Sequence, residues 1–132
     1  MSGSDIVTTE RIFVALGALS ALAAVALGAY GAHALPANDT TTWSKAVDYQ
    51  MAHALGLLLV GVLAGRWPGL AVRWAGALLV VGTLLFSGSL YALVLTGVRG
   101  LGWLTPFGGI AFMLGWLLLA WAAWRPGDRL SD

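Results

Sequence analysis

Two histidines are the only imidazoles in the chain, and each stands three residues from another hydrogen-bonding side chain: Tyr30 with His33, and Gln50 with His53. That spacing puts the members of each pair on one face of a helix. Ser87, Ser89 and Tyr91, then Thr105 ahead of Pro106, complete a small set of polar groups in otherwise apolar sequence. Neutral imidazoles on facing helices can ligate a metal ion or a haem, and Gly28, Gly31 and Gly56 leave space for a flat group. The same set can line an apolar cavity for a lipid or quinone-like molecule, held by a few convergent hydrogen bonds at Tyr30, His33, Gln50, His53, Ser87, Tyr91 and Thr105. It can also satisfy itself, as buried polar side chains usually do. Spacing alone leaves all three readings open.

Several chemistries drop out at once. The absence of cysteine removes disulfides, thiol catalysis, iron–sulfur clusters and Cys-type zinc sites. No carboxylate or third histidine stands near His33 and His53 to complete a metal set. With a second helix starting near Thr41, His53 also lies about 10 Å deeper than His33, at about 1.5 Å per residue, which is unsuited to an axial haem pair. Neither Gly-x-Ser-x-Gly, nor His-Glu-x-x-His, nor a Gly-rich phosphate loop followed by Lys occurs. A hydrolytic site from Ser87 or Ser89 with His53 has no support in their spacing. Proton-coupled export needs a deep intramembrane carboxylate. The nearest, Asp48, follows Lys45 by three residues, close enough to pair with it at the surface. No internal repeat suggests an inverted-repeat carrier.

The elements that must position these residues follow from composition. Of 132 residues, 59% are hydrophobic and only 10% charged, with a mean hydropathy of +0.84, values that belong to membrane proteins rather than soluble domains. A net charge of +1 offers no field for a polyanion, so nucleic acid is not a partner. Crossing about 30 Å of hydrocarbon takes about 20 apolar helical residues. Residues 12–35, 46–64, 70–95 and 101–124 meet that length, and the only charges inside them are Asp48 and Arg73, each near an end. Backbone groups in lipid have no water to bond, so the spans are helices. The expected fold is all-α: one integral membrane domain over residues 1–132, an up-down-up-down four-helix bundle.

Pro36, Asn38-Asp39 and Thr40–Thr42 are expected to break the first helix and to supply capping oxygens for the second. Gly65–Gly69 and Thr96–Gly100 form the next turns, and Arg125-Pro126-Gly127 stops the fourth helix. Threading the chain puts Arg11, Arg66, Arg73, Arg125 and Arg129 on one side and Lys45 and Arg99 on the other. The positive-inside rule then places both termini of this multi-pass protein in the cytoplasm. Trp67, Trp74, Trp121 and Trp124 mark the cytoplasmic interface and Trp43 and Trp103 the opposite one, with Trp116 nearer mid-membrane. A cleaved signal ending at Ala32-His33-Ala34 is disfavoured, because the apolar run is too long and Asp5 and Glu10 stand where a basic flank is needed. By this threading the polar groups collect at one level in the half of the bundle away from the cytoplasm.

Lipid-embedded helices associate through small residues that let backbones approach. Gly17, Ala21, Ala24, Gly28 and Gly31 make such a stripe in the first span. Ala52, Gly56, Gly61 and Gly65 repeat it in the second, Gly76 and Gly82 in the third, and Gly108, Gly109 and Gly115 in the fourth. The stripes can hold the bundle together or form a homo-oligomer or larger-complex surface.

Four ordered motifs go further: Gly28-Ala-Tyr-Gly-Ala-His33-Ala-Leu35, Tyr49-Gln-Met-Ala-His53-Ala-Leu-Gly56, Phe86-Ser-Gly-Ser-Leu-Tyr91 and Thr105-Pro-Phe-Gly-Gly109. Together, from about Arg11 to Trp124, they resemble the small bacterial inner-membrane proteins of the YgdD and YwdK type, a domain-of-unknown-function family. Where that family commonly has Phe in the first motif, this chain has Tyr30. The resemblance implies four membrane helices and no assigned activity. The resulting expectation is a non-enzymatic structural or accessory membrane component. The alternative is binding of a lipid, a quinone-like molecule, or a metal or haem held by His33 and His53.

Overall fold

Capping and turn chemistry fix the ends of the helices. A computed structural model of the chain describes residues 2–125, and they form α1 (Gly3–Ala34), α2 (Ala37–Arg66), α3 (Leu70–Thr96) and α4 (Thr105–Trp124), with a 3₁₀ turn at Arg99–Trp103 ahead of α4. No strand occurs among the described residues. Each helix, with the 3₁₀ turn counted into the last, is long and apolar enough to cross a membrane.

The helix ends differ from the apolar runs in instructive ways. Helix α1 starts well before Ile12, because Ser2 and Asp5 form a capping box that satisfies its first N–H groups. Helix α2 starts at Ala37, so Asn38, Asp39 and Thr40–Thr42 are helical and do not form the expected break with side-chain caps. Pro36, with Leu35, makes the turn. It forces Leu35 into extended geometry, and Thr40 Oγ1 donates back to the Ala37 carbonyl. Helix α3 ends on Gly97, whose φ of 73° gives a left-handed cap that only glycine adopts without strain. Helix α4 begins at Thr105 rather than Leu101, with Pro106 in its first turn. The expected stop at Pro126-Gly127 and the charge at Arg129 lie outside the described residues.

Glycines seat the helices on one another. Helix α1 buries Gly17, Ala24 and Gly31, a seven-residue spacing suited to a left-handed helix pair. A Cβ on Gly17 would stand 2.8 Å from the Ala54 carbonyl oxygen and 3.0 Å from the Leu58 nitrogen, while one on Gly31 would overlap the Trp43 indole. Gly61 faces Glu10 and Val14 across the same seam. Residue numbers therefore fall on α2 as they rise on α1. The α3–α4 seam runs the same way, with Gly108 on the backbone of Phe86, Gly82 on the Phe112 ring and Gly115 on Leu79. Gly76 receives the ring of Phe13 from α1, and Gly56 the indole of Trp116 from α4.

Helix α2 is central: 44% of its spanning window is buried inside the protein, against 11% for α1. Its Leu57 and Val60 meet Val72, Leu79, Phe112 and Leu119 in the core, while Leu19, Leu22, Leu84, Met113 and Leu117 face outward. The α1 stripe left undecided by sequence thus turns inward, toward α2. Replacing Gly17 by Ala forces backbone to move and should cost about 1–3 kcal/mol in reversible unfolding from detergent micelles. Gly100→Ala, with nothing within 4 Å of the added methyl, should leave stability unchanged.

Candidate functional site

The polar side chains form a ladder between helices. Gln50, on the buried face of α2, donates from Nε2 to the Ser20 carbonyl of α1 at 3.1 Å and reaches Ser20 Oγ at 3.4 Å. Its Oε1 accepts from the Tyr91 hydroxyl of α3 at 2.6 Å. One amide therefore ties three helices. Ser87, wholly buried, donates to the Ala46 carbonyl at 2.7 Å, a second tie from α3 to α2. Trp43 Nε1 donates to the Leu27 carbonyl at 2.7 Å, and Ser89 and Thr105 share a 2.6 Å hydroxyl bond between α3 and α4.

His53 closes the last gap. Trp116 of α4 donates from Nε1 to His53 Nε2 at 3.0 Å, and His53 Nδ1 lies 2.7 Å from the Tyr49 carbonyl. An indole nitrogen only donates and a carbonyl only accepts. The network therefore assigns a neutral imidazole with its proton on Nδ1. The ring also stacks on Phe112, with centroids 3.5 Å apart and planes 11° from parallel. Its Nε2 lone pair is already engaged, so a metal could take it only by displacing Trp116.

Five of the seven expected site residues, Gln50, His53, Ser87, Tyr91 and Thr105, belong to this ladder. Tyr30 and His33 do not. Tyr30 lies 45% exposed with its ring 5.4 Å from that of Trp43, and His33 is exposed at the end of α1. The Trp43 indole packs at Gly31, two residues before His33, whereas His53 is ten residues further along α2, about 15 Å at the helical rise. The two histidines do not share a site, and no group of three or more His, Cys, Asp or Glu able to hold a metal is found among the described residues. The groups also do not lie at one level: from Thr105 to Trp116 the ladder covers about 16 Å of α4.

Three members escaped the sequence reading. Ser20 is a lone hydroxyl one turn from Gly17, a signal that it sits beside the packing stripe. Trp43, read as an interfacial anchor, is 2% exposed, because Gly31 opens a seat for it and Leu27 supplies an acceptor. Trp116 lies nearer mid-membrane by the same threading, where an indole N–H needs a partner. A cleft of about 300 Å³ between α1 and α2 is lined by Gly28, Gly31, Trp43, Ser44, Val47 and Asp48 among others, and touches the ladder only at Trp43.

The ladder residues between α2 and the start of α4 fall inside the part of the chain that matches a known family. Residues 27–109 match the family model described as a protein of unknown function, DUF423. The chain belongs to this family. Similar proteins include the UPF0382 membrane protein YwdK of Bacillus subtilis, 46% identical over 118 residues that cover 86% of this chain and 96% of the relative. A UPF0382 membrane protein of Staphylococcus haemolyticus is 48% identical over 113 residues, covering 83% and 92%. No solved structure matches the chain. In this DUF423 chain the matched region holds Trp43, Gln50, His53, Ser87, Ser89, Tyr91 and Thr105, while Ser20 and Trp116 lie outside it.

The Gln50–Tyr91 bond should show as a coupling of about 0.6 kcal/mol, and no more than about 1.7, the range of interhelical bonds in membranes. The check is a double-mutant cycle of Gln50→Leu with Tyr91→Phe in detergent unfolding. His33→Ala should leave stability unchanged.

Proposed function

We propose that this protein is a non-enzymatic structural or accessory component of a bacterial inner membrane, threaded up and down with both termini in the cytoplasm. The observation that carries this reading is the closure of the polar ladder. Among the described residues, no buried side-chain nitrogen or oxygen lacks a hydrogen-bond partner. A polar set that satisfies itself needs no ligand to complete it. Here Gln50 spends its amide on Ser20 and Tyr91, and His53 spends both nitrogens on Tyr49 and Trp116. Such bonds fix helix register.

Charge supports the orientation. Arg11, Arg66, Arg73 and Arg125 gather at the end where α1 begins and α2 ends, and Lys45 and Arg99 at the other. Trp67, Trp74, Trp121 and Trp124 are exposed at the arginine-rich end, as interfacial indoles are.

A reporter fused to the C-terminus should be active only in the cytoplasm; a periplasmic signal overturns the orientation. For the role, the purified protein should show no Soret band and no stoichiometric metal. The pair His53→Leu with Trp116→Phe removes both partners together and should keep the protein folded within about 1–2 kcal/mol of wild type. A haem or metal signature in the wild type that this pair abolishes would sink the structural reading.

A further inference from the structure

The polar ladder ties α1 to α2 at Ser20 and Leu27. Toward its N-terminus α1 meets α3 through the Phe13 ring on Gly76, and beyond that contact the two helices leave a cleft of about 460 Å³. Its walls are Ile12 and Phe13 from α1, and Leu70, Trp74 and Ala77 from α3, with Thr9 and Arg73 completing the lining. The volume lies within the range of small-molecule sites, about 300–1,000 Å³. Thr9 spends its hydroxyl on the Asp5 carbonyl, so the wall it adds is largely methyl. The cleft is a greasy slot with one cation on its lining.

Position decides what such a slot suits. Arg73 and Trp74 stand in the first turns of α3, both exposed, at the end where, among the described residues, Arg11, Arg66 and Arg125 stand against Asp5 and Glu10. At the opposite end Lys45 and Arg99 are balanced by Asp39 and Asp48. An indole beside a guanidinium at the membrane boundary matches the level of lipid headgroups, and guanidinium is well shaped for phosphate oxygens. Arg73 already has an interaction within the protein, and Asp5 is within reach of its charge. The Asp5 carboxylate is held by the Ser2 backbone and hydroxyl in the helix cap. A guanidinium has N–H donors enough to serve a protein partner and a phosphate together.

We propose that the α1–α3 cleft binds one anionic glycerophospholipid, with its phosphate on Arg73 and an acyl chain between Ile12, Phe13, Leu70 and Ala77. The cytoplasmic location of this site rests on the orientation proposed above; the anionic charge of that leaflet fits it. The chemistry of the cleft itself does not depend on that orientation. The headgroup supplies the negative charge, and the slot takes the acyl chain.

The test is native mass spectrometry of the full-length protein in mild detergent, with phosphatidylglycerol or phosphatidylcholine of the same acyl chains added. One phosphatidylglycerol per chain should be retained in preference. Arg73→Gln should cut that preference about fivefold, the factor expected of one basic group at an anionic headgroup. Arg99→Gln, at the other end, should leave it at the wild-type level. Ala77→Phe fills the slot and should lower retention of both lipids. If that variant is not monodisperse on gel filtration, Ile12→Trp adds the bulk from the opposite wall. Equal retention of the two lipids by wild type, an equal loss with Arg99→Gln, or a lipid-free dimer in place of the lipid complex each overturns the site. An external C-terminal reporter with the Arg73 dependence intact would overturn the orientation alone, leaving the cleft as a lipid site of the other leaflet.

Discussion

Helices surrounded by lipid gain little by hiding leucine from leucine, so a bundle of this size must find its cohesion in close approach. Glycine supplies it here. Gly17 lets the backbones of α1 and α2 nearly touch, Gly108 does the same for α4 on α3, and Gly31, Gly56, Gly76 and Gly82 each accept a ring from a neighbouring helix. Those aromatic seats do more than fill space. A ring lodged against a glycine carries its polar edge into the interior, which is how the indoles of Trp43 and Trp116 come within reach of Leu27 and His53.

The polar ladder is therefore a consequence of the packing as much as a contributor to it. Each rung is worth little alone, about 0.6 kcal/mol on average in membranes. The cost of an unpaired polar group in hydrocarbon is larger, several kcal/mol. A slip of α3 along α2 would break Tyr91–Gln50 and Ser87–Ala46 together and leave Gln50 half satisfied. The ladder thus specifies one register more strongly than it stabilises it. This is the sense in which Gln50, bonded to both α1 and α3, is the most constrained polar residue of the fold.

Much of this was legible in sequence and some was not, for separable reasons. The existence and order of four spanning helices follow from uncharged length, a one-dimensional property. The residues Gln50, His53, Ser87, Tyr91 and Thr105 stood out because polar groups in apolar runs are rare. What periodicity could not supply was direction. Tyr30 and His33 share a face with each other, yet that face is not the Gly17–Gly31 seam, so both fall outside the ladder. Trp43 near a helix start looks like an interfacial anchor until Gly31 is known to lie opposite. The run Asn38–Thr42 looks like a turn by propensity, but two residues, Leu35 and Pro36, already complete the reversal. The remaining polar residues then have no reason to leave the helix.

The two ends of the bundle are built on different terms. From Ser20 to Leu27, α1 is tied to α2 by hydrogen bonds whose partners are fixed in direction and distance. From Glu10 to Val14 its packing includes Glu10 and Val14 against Gly61 and the Phe13 ring against Gly76, with Asp5 within reach of the Arg73 charge nearer the N-terminus. The hydrogen bonds of Gln50 and Trp43 to α1 thus lie away from the gap between α1 and α3. The cleft lined by Ile12, Phe13, Leu70 and Ala77 lies in that gap. The cleft shares no residue with the polar ladder.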